Sequence, residues 1–298
     1  MDQQASAATS STAHHPVFAQ FTAQPASRSA DWTTDWLGVR TRRGYFVQEG
    51  RLFEESATLP PPVDEEYFEW IDLLEAVLAA QGRFVMVELG AGWGRWLVRG
   101  ALAARHKRPD LGPPLLVGVE AEPTHYRWLK QHLRDNGIPA ESCRLLRAAC
   151  AAADGHVWFE TGNAHTSYAQ HISSRPTWWR WLRHLISGKK RRVPAIALDS
   201  LLATLPTVDL IDLDVQGAEL IVLQGAVDRL QRQVRRVHIG THNPYVEVGL
   251  RAIFQKMGWH CGFDFPCHAE AETPFGRVHF QDGVQSWRNP ALASSAAT

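Results

Sequence analysis

The stretch FVMVELGAGWGRWLV, residues 84–98, constrains this chain more than any other. An apolar run stops at an acid, passes through three alternate glycines and continues as a helical segment. A strand with no polar alternation is buried on both faces, so it belongs inside a mostly parallel sheet covered by helices on each side. The same plan recurs downstream. PLLVGVE (114–120), CRLLRAA (143–149), GHVWFE (155–160), VPAIAL (193–198), VDLIDLDV (208–215) and VRRVHIGTH (234–242) read as strands, with two more near 260–266 and 277–282. Helical segments at 94–106, 124–136, 217–231 and 246–257 alternate with them. The expected fold class is α/β, a doubly wound, mostly parallel seven-stranded sheet with helices on both faces. Ligands of such sheets bind beyond the carboxyl ends of the strands.

Of the 298 residues, 1–30 are Ala/Ser/Thr/Gln-rich and are expected as a disordered tail. Residues 31–82 form an arm and a helix, in which Tyr67, Ile71, Leu74 and Leu78 recur at helical spacing and Gly82 closes the run. The principal domain is 83–290, interrupted by an insert at 161–193, and 291–298 are a second tail. Lys+Arg and Asp+Glu tie at 31 each, so no global field attracts a nucleic acid. Cys143, Cys150, Cys261 and Cys267 form no CxxC pair and read as reduced thiols of a cytoplasmic protein. No apolar run approaches the length of a membrane span, and the N-terminus has no signal-peptide pattern.

Gly90, Gly92 and Gly94 allow positive φ and close approach of backbone to a ligand, and the following helix directs free N–H groups at it. A dinucleotide fingerprint would need its third glycine at position 95, which is Arg95. A phosphate loop would need Gly-Lys-Ser/Thr, which does not occur. Glu88 at the strand end would repel a pyrophosphate and suits a positive centre. The next strand ends at Glu120, placed to accept hydrogen bonds from both ribose hydroxyls. A cationic, ribose-containing ligand without phosphate describes S-adenosyl-L-methionine. The residues expected around it are Glu88, Gly90, Ala91, Gly92, Gly94, Glu120, Ala148 and Asp214.

At these residues the chain resembles the class I methyltransferases, and specifically the FkbM family. VELGAGWGRWLV is similar to its first motif, and EAEPTHYRWLKQHLRDNGI to its acid-plus-proline segment. LDSLLATLPTVDLIDLDVQGAELIVLQGA resembles its most characteristic stretch. The likeness covers about 84–242. Asp212 stands where the family usually has Lys, and Gln216 where it usually has Glu. The resemblance implies a Rossmann-like fold and O-methylation of a hydroxyl on a sugar, glycan or secondary metabolite.

Asp212 and Asp214 are two apart on a strand and point to the same side. The neighbouring strand brings His238 and His242 to a similar height, with Gly240 leaving space between them. Asp214 and His242 are the expected catalytic residues, flanking the transferred methyl group, with His242 as a general base of near-neutral pKa. Asp212, Asp214 and His242 are also chemically competent to hold a divalent metal, but their spacing is not that of a tight ligand set, and none is assigned. Within the insert, Trp178, Trp181, Leu182, Leu185 and Ile186 share one helical face while Arg180, Arg183, His184 and 189–192 stay polar. A lid over the site is the favoured reading of this helix; peripheral membrane contact through 176–192 is the alternative. Two other function classes compete: a nicotinamide-dependent oxidoreductase, and a non-catalytic protein that keeps the fold and binds a membrane or partner through the insert. The oligomeric state is not legible.

Overall fold

The computed structural model describes residues 14–25, 29–45, 59–160, 172–173 and 190–293. The arm comprises a 3-10 turn at Pro16–Gln20 and an antiparallel pair, β1 (Trp32–Thr34) and β2 (Arg40–Arg42), and leads to α1 (Tyr67–Ala79). The expected alternation follows: β3 (Arg83–Leu89), α2 (Arg95–Lys107), β4 (Gly112–Val119), α3 (Pro123–Asp135) and β5 (Cys143–Leu146). Next come β6 (Ala149–Ala151), β7 (Gly155–Glu160), β8 (Ile172–Ser173), β9 (Lys190–Ala197) and α4 (Leu198–Leu202). The second half runs β10 (Leu210–Leu213), α5 (Glu219–Gln224), α6 (Val227–Gln233), β11 (Arg236–Thr241) and α7 (Pro244–Lys256). It ends with β12 (His260–Phe265), β13 (Ala269–Thr273), β14 (Gly276–Phe280) and β15 (Gly283–Arg288).

The seven-stranded sheet has the order β12-β15-β11-β10-β3-β4-β5. Its pairings are parallel from β5 through β11, and β15 enters antiparallel between β11 and β12. Alternate residues of β3 feed two cores. Phe84 and Met86 pack with the arm, α1 and α2, whereas Val85, Val87 and Leu89 pack with the face formed by α4 to α7. That two-sided burial is why the strand carries no polar alternation.

Five expectations change. Residues 14–25 are not tail: Val17, Phe18 and Phe21 are buried, Phe18 lies 4.9 Å from the Tyr67 ring, and the His15 N–H donates to Tyr67 Oη at 2.7 Å. Three apolar residues in a polar composition suffice to dock the segment. The helix expected over 217–231 is two helices, broken at Gly225-Ala226. The strand expected near 277–282 is β14, which pairs only with β13 in a hairpin of its own, and the seventh sheet strand is β15. At the far end, 290–292 form a 3-10 turn whose Leu292 carbonyl accepts a hydrogen bond from the Arg235 guanidinium. Most of the insert lies outside the described residues, including Trp178, Trp181 and the amphipathic helix. Within it, 190–192, expected in the polar face of that helix, belong to β9 and pair with β7. Strands β6, β9, β7 and β8 make a separate four-stranded sheet.

The arm is tied to the principal domain by charge. Arg99 of α2 donates to Asp35 at 3.1 Å, with both side chains buried, and its guanidinium lies 4.2 Å from the Trp70 ring centroid and 4.6 Å from that of Trp96. Planar stacking plus a charge-assisted bond is how a guanidinium tolerates such burial.

Candidate active site

Beyond the carboxyl ends of β3, β4, β10 and β11 two cavities meet. The glycine turn forms their common floor. Gly90, Gly92 and Gly94 all have positive φ, at +81°, +52° and +74°. The Gly90 and Ala91 N–H groups both donate to the Val119 carbonyl at 3.0 Å, and Asp214 N–H donates to the Leu89 carbonyl at 3.0 Å. The three glycines have different reasons. A Cβ on Gly90 would sit 1.8 Å from the Asp214 carbonyl oxygen, and one on Gly94 would sit 2.2 Å from Leu129 Cδ1. A Cβ on Gly92 would meet nothing within 4 Å, because Gly92 faces the first cavity. Gly90→Ala is therefore expected to cost about 3 kcal/mol or more in strain and overpacking. Gly92→Ala pays only the left-handed backbone cost of about 1–2 kcal/mol. Urea midpoints that rank the two the other way would contradict this packing.

The first cavity, about 630 Å³, is lined by Gly90, Gly92, Glu120, His125, Ala148, Phe159, Asp214 and Gln216 among others. Glu120 is buried; its Oε2 accepts from Gly92 N–H at 2.7 Å and its Oε1 from Glu122 N–H at 2.6 Å. Burial pushes its carboxyl up to about 7, against the pull of those backbone bonds. Ala148, Ala149 and Cys150 on the β6 side and Phe159 of β7 supply an apolar wall. Gln216 has a positive φ of +55°, unusual for a side-chain-bearing residue, and its amide donates to Asp214 Oδ1 at 2.7 Å.

The second cavity, about 1460 Å³ and open to solvent, shares Gly90 and Asp214 with the first. Its walls carry the aromatic rings of Tyr45, Trp93 and Trp96, with Arg95. They also carry Glu65, Glu66, Glu69, Glu88, Asp212, Asp214 and Asp282, and His238. Here the expected cofactor residues divide. Gly90, Gly92, Glu120, Ala148 and Asp214 line the first cavity, but Glu88 and Ala91 line only the second, and Gly94 lines neither. Glu88 is spent on the start of α2, accepting from Trp96 N–H at 3.4 Å and Leu97 N–H at 3.2 Å. Burial first, and then Asp212, push its carboxyl well above the ordinary range, so it does not offer a free charge to a cationic ligand. Asp212 and Asp214 do face the same cavity, as their spacing requires. Asp212 is pushed up to about 6, chiefly by burial.

His242 lines neither cavity; it stands beside Asp214, which lines both. Its Nδ1 meets Glu219 Oε1 at 2.9 Å, and Nε2 lies 3.3 Å from Asp214 Oδ1 and 3.8 Å from Asp282 Oδ1. Burial lowers its pKa, but the hydrogen bonds and charges of Asp214 and Glu219 outweigh that and raise it to about 10. A near-neutral base was expected; the ring instead keeps its proton through neutral pH. Of the two carboxylates responsible, Asp214 was expected at the site and Glu219 was not assigned to it. His238, expected at the same height, lines the second cavity but is tied to the fold through one ring nitrogen. Its Nδ1 meets Asp72 Oδ2 at 2.8 Å, and Asp72, wholly buried, also accepts from Arg236 at 2.6 Å and Ser286 at 2.7 Å.

Residues 102–265 match the family described as Methyltransferase FkbM domain. A protein of Jannaschia sp. (strain CCS1), named provisionally as a methyltransferase, is 29% identical over 280 residues, covering 92% of this chain and 98% of its own. Among solved structures, the methyltransferase FkbM from Methylobacillus flagellatus KT is similar at 13% identity and a TM-score of 0.45. That alignment covers 69% of this chain and 44% of the Methylobacillus protein, so the chain spans less than half of it. The precorrin-6y C5,15-methyltransferase from Geobacter metallireducens GS-15 is similar at 10% identity and a TM-score of 0.42, over 82% of this chain and 93% of that one.

Proposed function

The chain belongs to the FkbM methyltransferase family, and from that premise we propose that it is an S-adenosylmethionine-dependent O-methyltransferase acting on a hydroxyl of a sugar, glycan or secondary metabolite. The observation that carries the reading is the pair of cavities meeting at Asp214, one with a ribose-competent carboxylate and one with aromatic and acidic walls. Gly92, open to the first cavity, leaves room for a ligand, and each Glu120 oxygen retains a lone-pair direction beyond its backbone donor. The cofactor, when bound, supplies an electrophilic methyl group on a sulfonium centre. The aromatic rings Tyr45, Trp93 and Trp96 suit the C–H face of a sugar ring, and the carboxylates suit its hydroxyl donors. Asp214 receives the hydroxyl proton, and His242, carrying its own proton, holds that carboxylate in place. With Glu69 and Glu88 set aside because burial pushes their carboxyls well above the ordinary range, five carboxylates against one arginine in the second cavity still favour acceptors that bring positive charge, such as amino sugars, and disfavour a phosphate-bearing nucleic acid.

No helix among the described residues is long and apolar enough to cross a membrane. The four cysteines are free, which supports a reducing, cytoplasmic setting. Membrane contact through the part of the insert before β9 stays an alternative, as does a non-catalytic role.

Two measurements test the proposal. Methyl transfer from labelled S-adenosylmethionine to a panel of neutral and amino sugars should give turnover; no turnover on any hydroxyl, with tight cofactor binding retained, would favour the non-catalytic role. The cofactor contact has a pH signature. Because Glu120 is pushed up to about 7, it becomes the stronger, anionic acceptor only as pH rises past that value. Affinity for S-adenosylhomocysteine should therefore strengthen from pH 6 to pH 8, and Glu120→Gln should flatten that dependence and weaken binding by about 1.5–3 kcal/mol. Calorimetry with the same pH slope in both proteins would remove Glu120 from the ribose.

A further inference from the structure

The geometry points to a divalent-metal site inside the second cavity, with Glu69, Asp212 and Nε2 of His238 as its ligands. Asp212 and His238 are direct partners in the β10–β11 register, so both side chains leave the sheet on the same face. Glu69 of α1 meets them there. One oxygen from each carboxyl and one ring nitrogen all lie within 4.8 Å of one another, and all three residues line the cavity. Donors about 2.2 Å from a common ion stand at most about 4.4 Å apart, so small rotamer shifts close the set.

The histidine is an independent sign of a ligand. It is 3% exposed, and its two nitrogens are used differently. Nδ1 meets Asp72 Oδ2 at 2.8 Å, and Asp72 is held in turn by Arg236 and Ser286. The Asp72 carboxyl lies below its usual range, so it accepts and the ring carries a proton on Nδ1. No hydrogen bond among the described residues occupies Nε2, which is left to the cavity. An imidazole anchored by a carboxylate on one nitrogen, with the other nitrogen beside two carboxyl groups, is how metal-bound histidines are oriented.

The carboxyls need a cation between them. Glu69 and Asp212 stand close enough to share a hydrogen bond, which two ionised carboxylates cannot do. In the free chain a proton fills that place: burial first, and then the charge of Asp212, push the Glu69 carboxyl well above its ordinary range. The arginine of the cavity, Arg95, is paired with Glu66. A divalent ion displaces the proton and meets two oxygens and one imidazole nitrogen, a donor set that suits Mn²⁺ or a neighbouring first-row ion rather than a thiolate-seeking one. Three protein ligands leave coordination positions facing the cavity, open to two neighbouring hydroxyls of an acceptor. That use rests on the methyltransferase reading; ion binding itself does not.

The full chain, stripped with EDTA and dialysed, is titrated with MnCl₂, and free Mn²⁺ is followed by electron paramagnetic resonance with no cofactor or acceptor present. One saturable Mn²⁺ per chain is expected. Glu69→Gln and Asp212→Asn, which keep the shape of a protonated carboxyl, should each weaken it at least about tenfold, the loss that removal of even an orienting partner brings. Asp214→Asn should not. S-adenosylhomocysteine binding to the parent chain and to these variants, measured separately, reports that they are folded and tests the methyltransferase reading by itself. Absence of saturable Mn²⁺ binding in the parent chain overturns the site. So does binding that is retained in Glu69→Gln and Asp212→Asn but lost in Asp214→Asn, which assigns the ion to the group of Asp214, Glu219 and His242.

Discussion

Asp214→Asn is expected to lower kcat by roughly 10²–10⁴-fold, the range that removal of a general base produces. The substitution preserves size and leaves the backbone contact between Asp214 N–H and the Leu89 carbonyl intact. Half of the Asp214 side chain is exposed, so the thermal midpoint should hardly move. A kinetic defect without a folding defect is the signature sought, read as single-turnover methyl transfer at saturating acceptor alongside a melting curve. Gln216→Ala serves as the internal comparison: it removes the amide that bonds Asp214 Oδ1 at 2.7 Å but leaves the carboxylate, so its effect should be far smaller. Equal rates for Asp214→Asn and the parent chain would take the proton-accepting role away from this residue.

The largest stability effect should come from Asp72. It is wholly buried and receives Arg236, His238 and Ser286, so it joins α1 to β11 and β15 through one carboxylate. Removing it takes the partner from a buried imidazole and leaves the buried Arg236 guanidinium with Glu75 at 2.7 Å, and Asp72→Ala should cost about 3–5 kcal/mol. Burial acts to raise its pKa, but the bond from His238 and the charge of Arg236 outweigh that and hold the carboxyl below its usual range. The sign for pH follows. A depressed carboxyl stabilises the fold above its unfolded pKa of about 3.9, and the contribution is lost as pH falls through the lower folded value. Between pH 7 and pH 5 the parent chain's urea midpoint should owe nothing to Asp72 titration, and below about pH 4 the gap between parent and variant should shrink. A gap that stays constant to pH 2 would show that packing, not charge, is what Asp72 provides.

Where apolar pattern decides the outcome, the sequence was a good guide. β3, β4, β10 and β11 are buried on both faces, and their terminal residues Glu120 and Asp214 line the first cavity as expected. Where a polar side chain must choose between the fold and a ligand, the sequence does not decide. Glu88 sits at the right strand end, yet its carboxylate bends onto α2, because two free N–H groups at a helix start compete successfully for it. His242 was legible as a residue, but its charge state depends on Asp214 and on Glu219, the latter brought in by α5. β15 itself escaped because Gln285 and Ser286 break its apolar pattern. Both are fully buried, with Gln285 donating to the Glu247 carbonyl at 3.0 Å and Ser286 to Asp72 at 2.7 Å. Trp93 and Trp96 were visible within the glycine motif but carry no sign in sequence that, although buried, they also line a second cavity.

The insertion of β15 between β11 and β12 has a consequence for synthesis. A chain leaving the ribosome in order builds β3, β4, β10 and β11 first, and β12 emerges before the strand that separates it from β11. Until residues 283–288 emerge, β11 presents an unpaired edge and β12 has no neighbour in the sheet. Asp282 and Gly283, at the head of that last strand, reach the wall of the second cavity only then. Assembly of the sheet and completion of the site are therefore one late event, and a nascent chain holds a recognisable nucleotide-type fold well before it can do chemistry. The open edge in that interval is what a chaperone, or a second nascent chain, would meet.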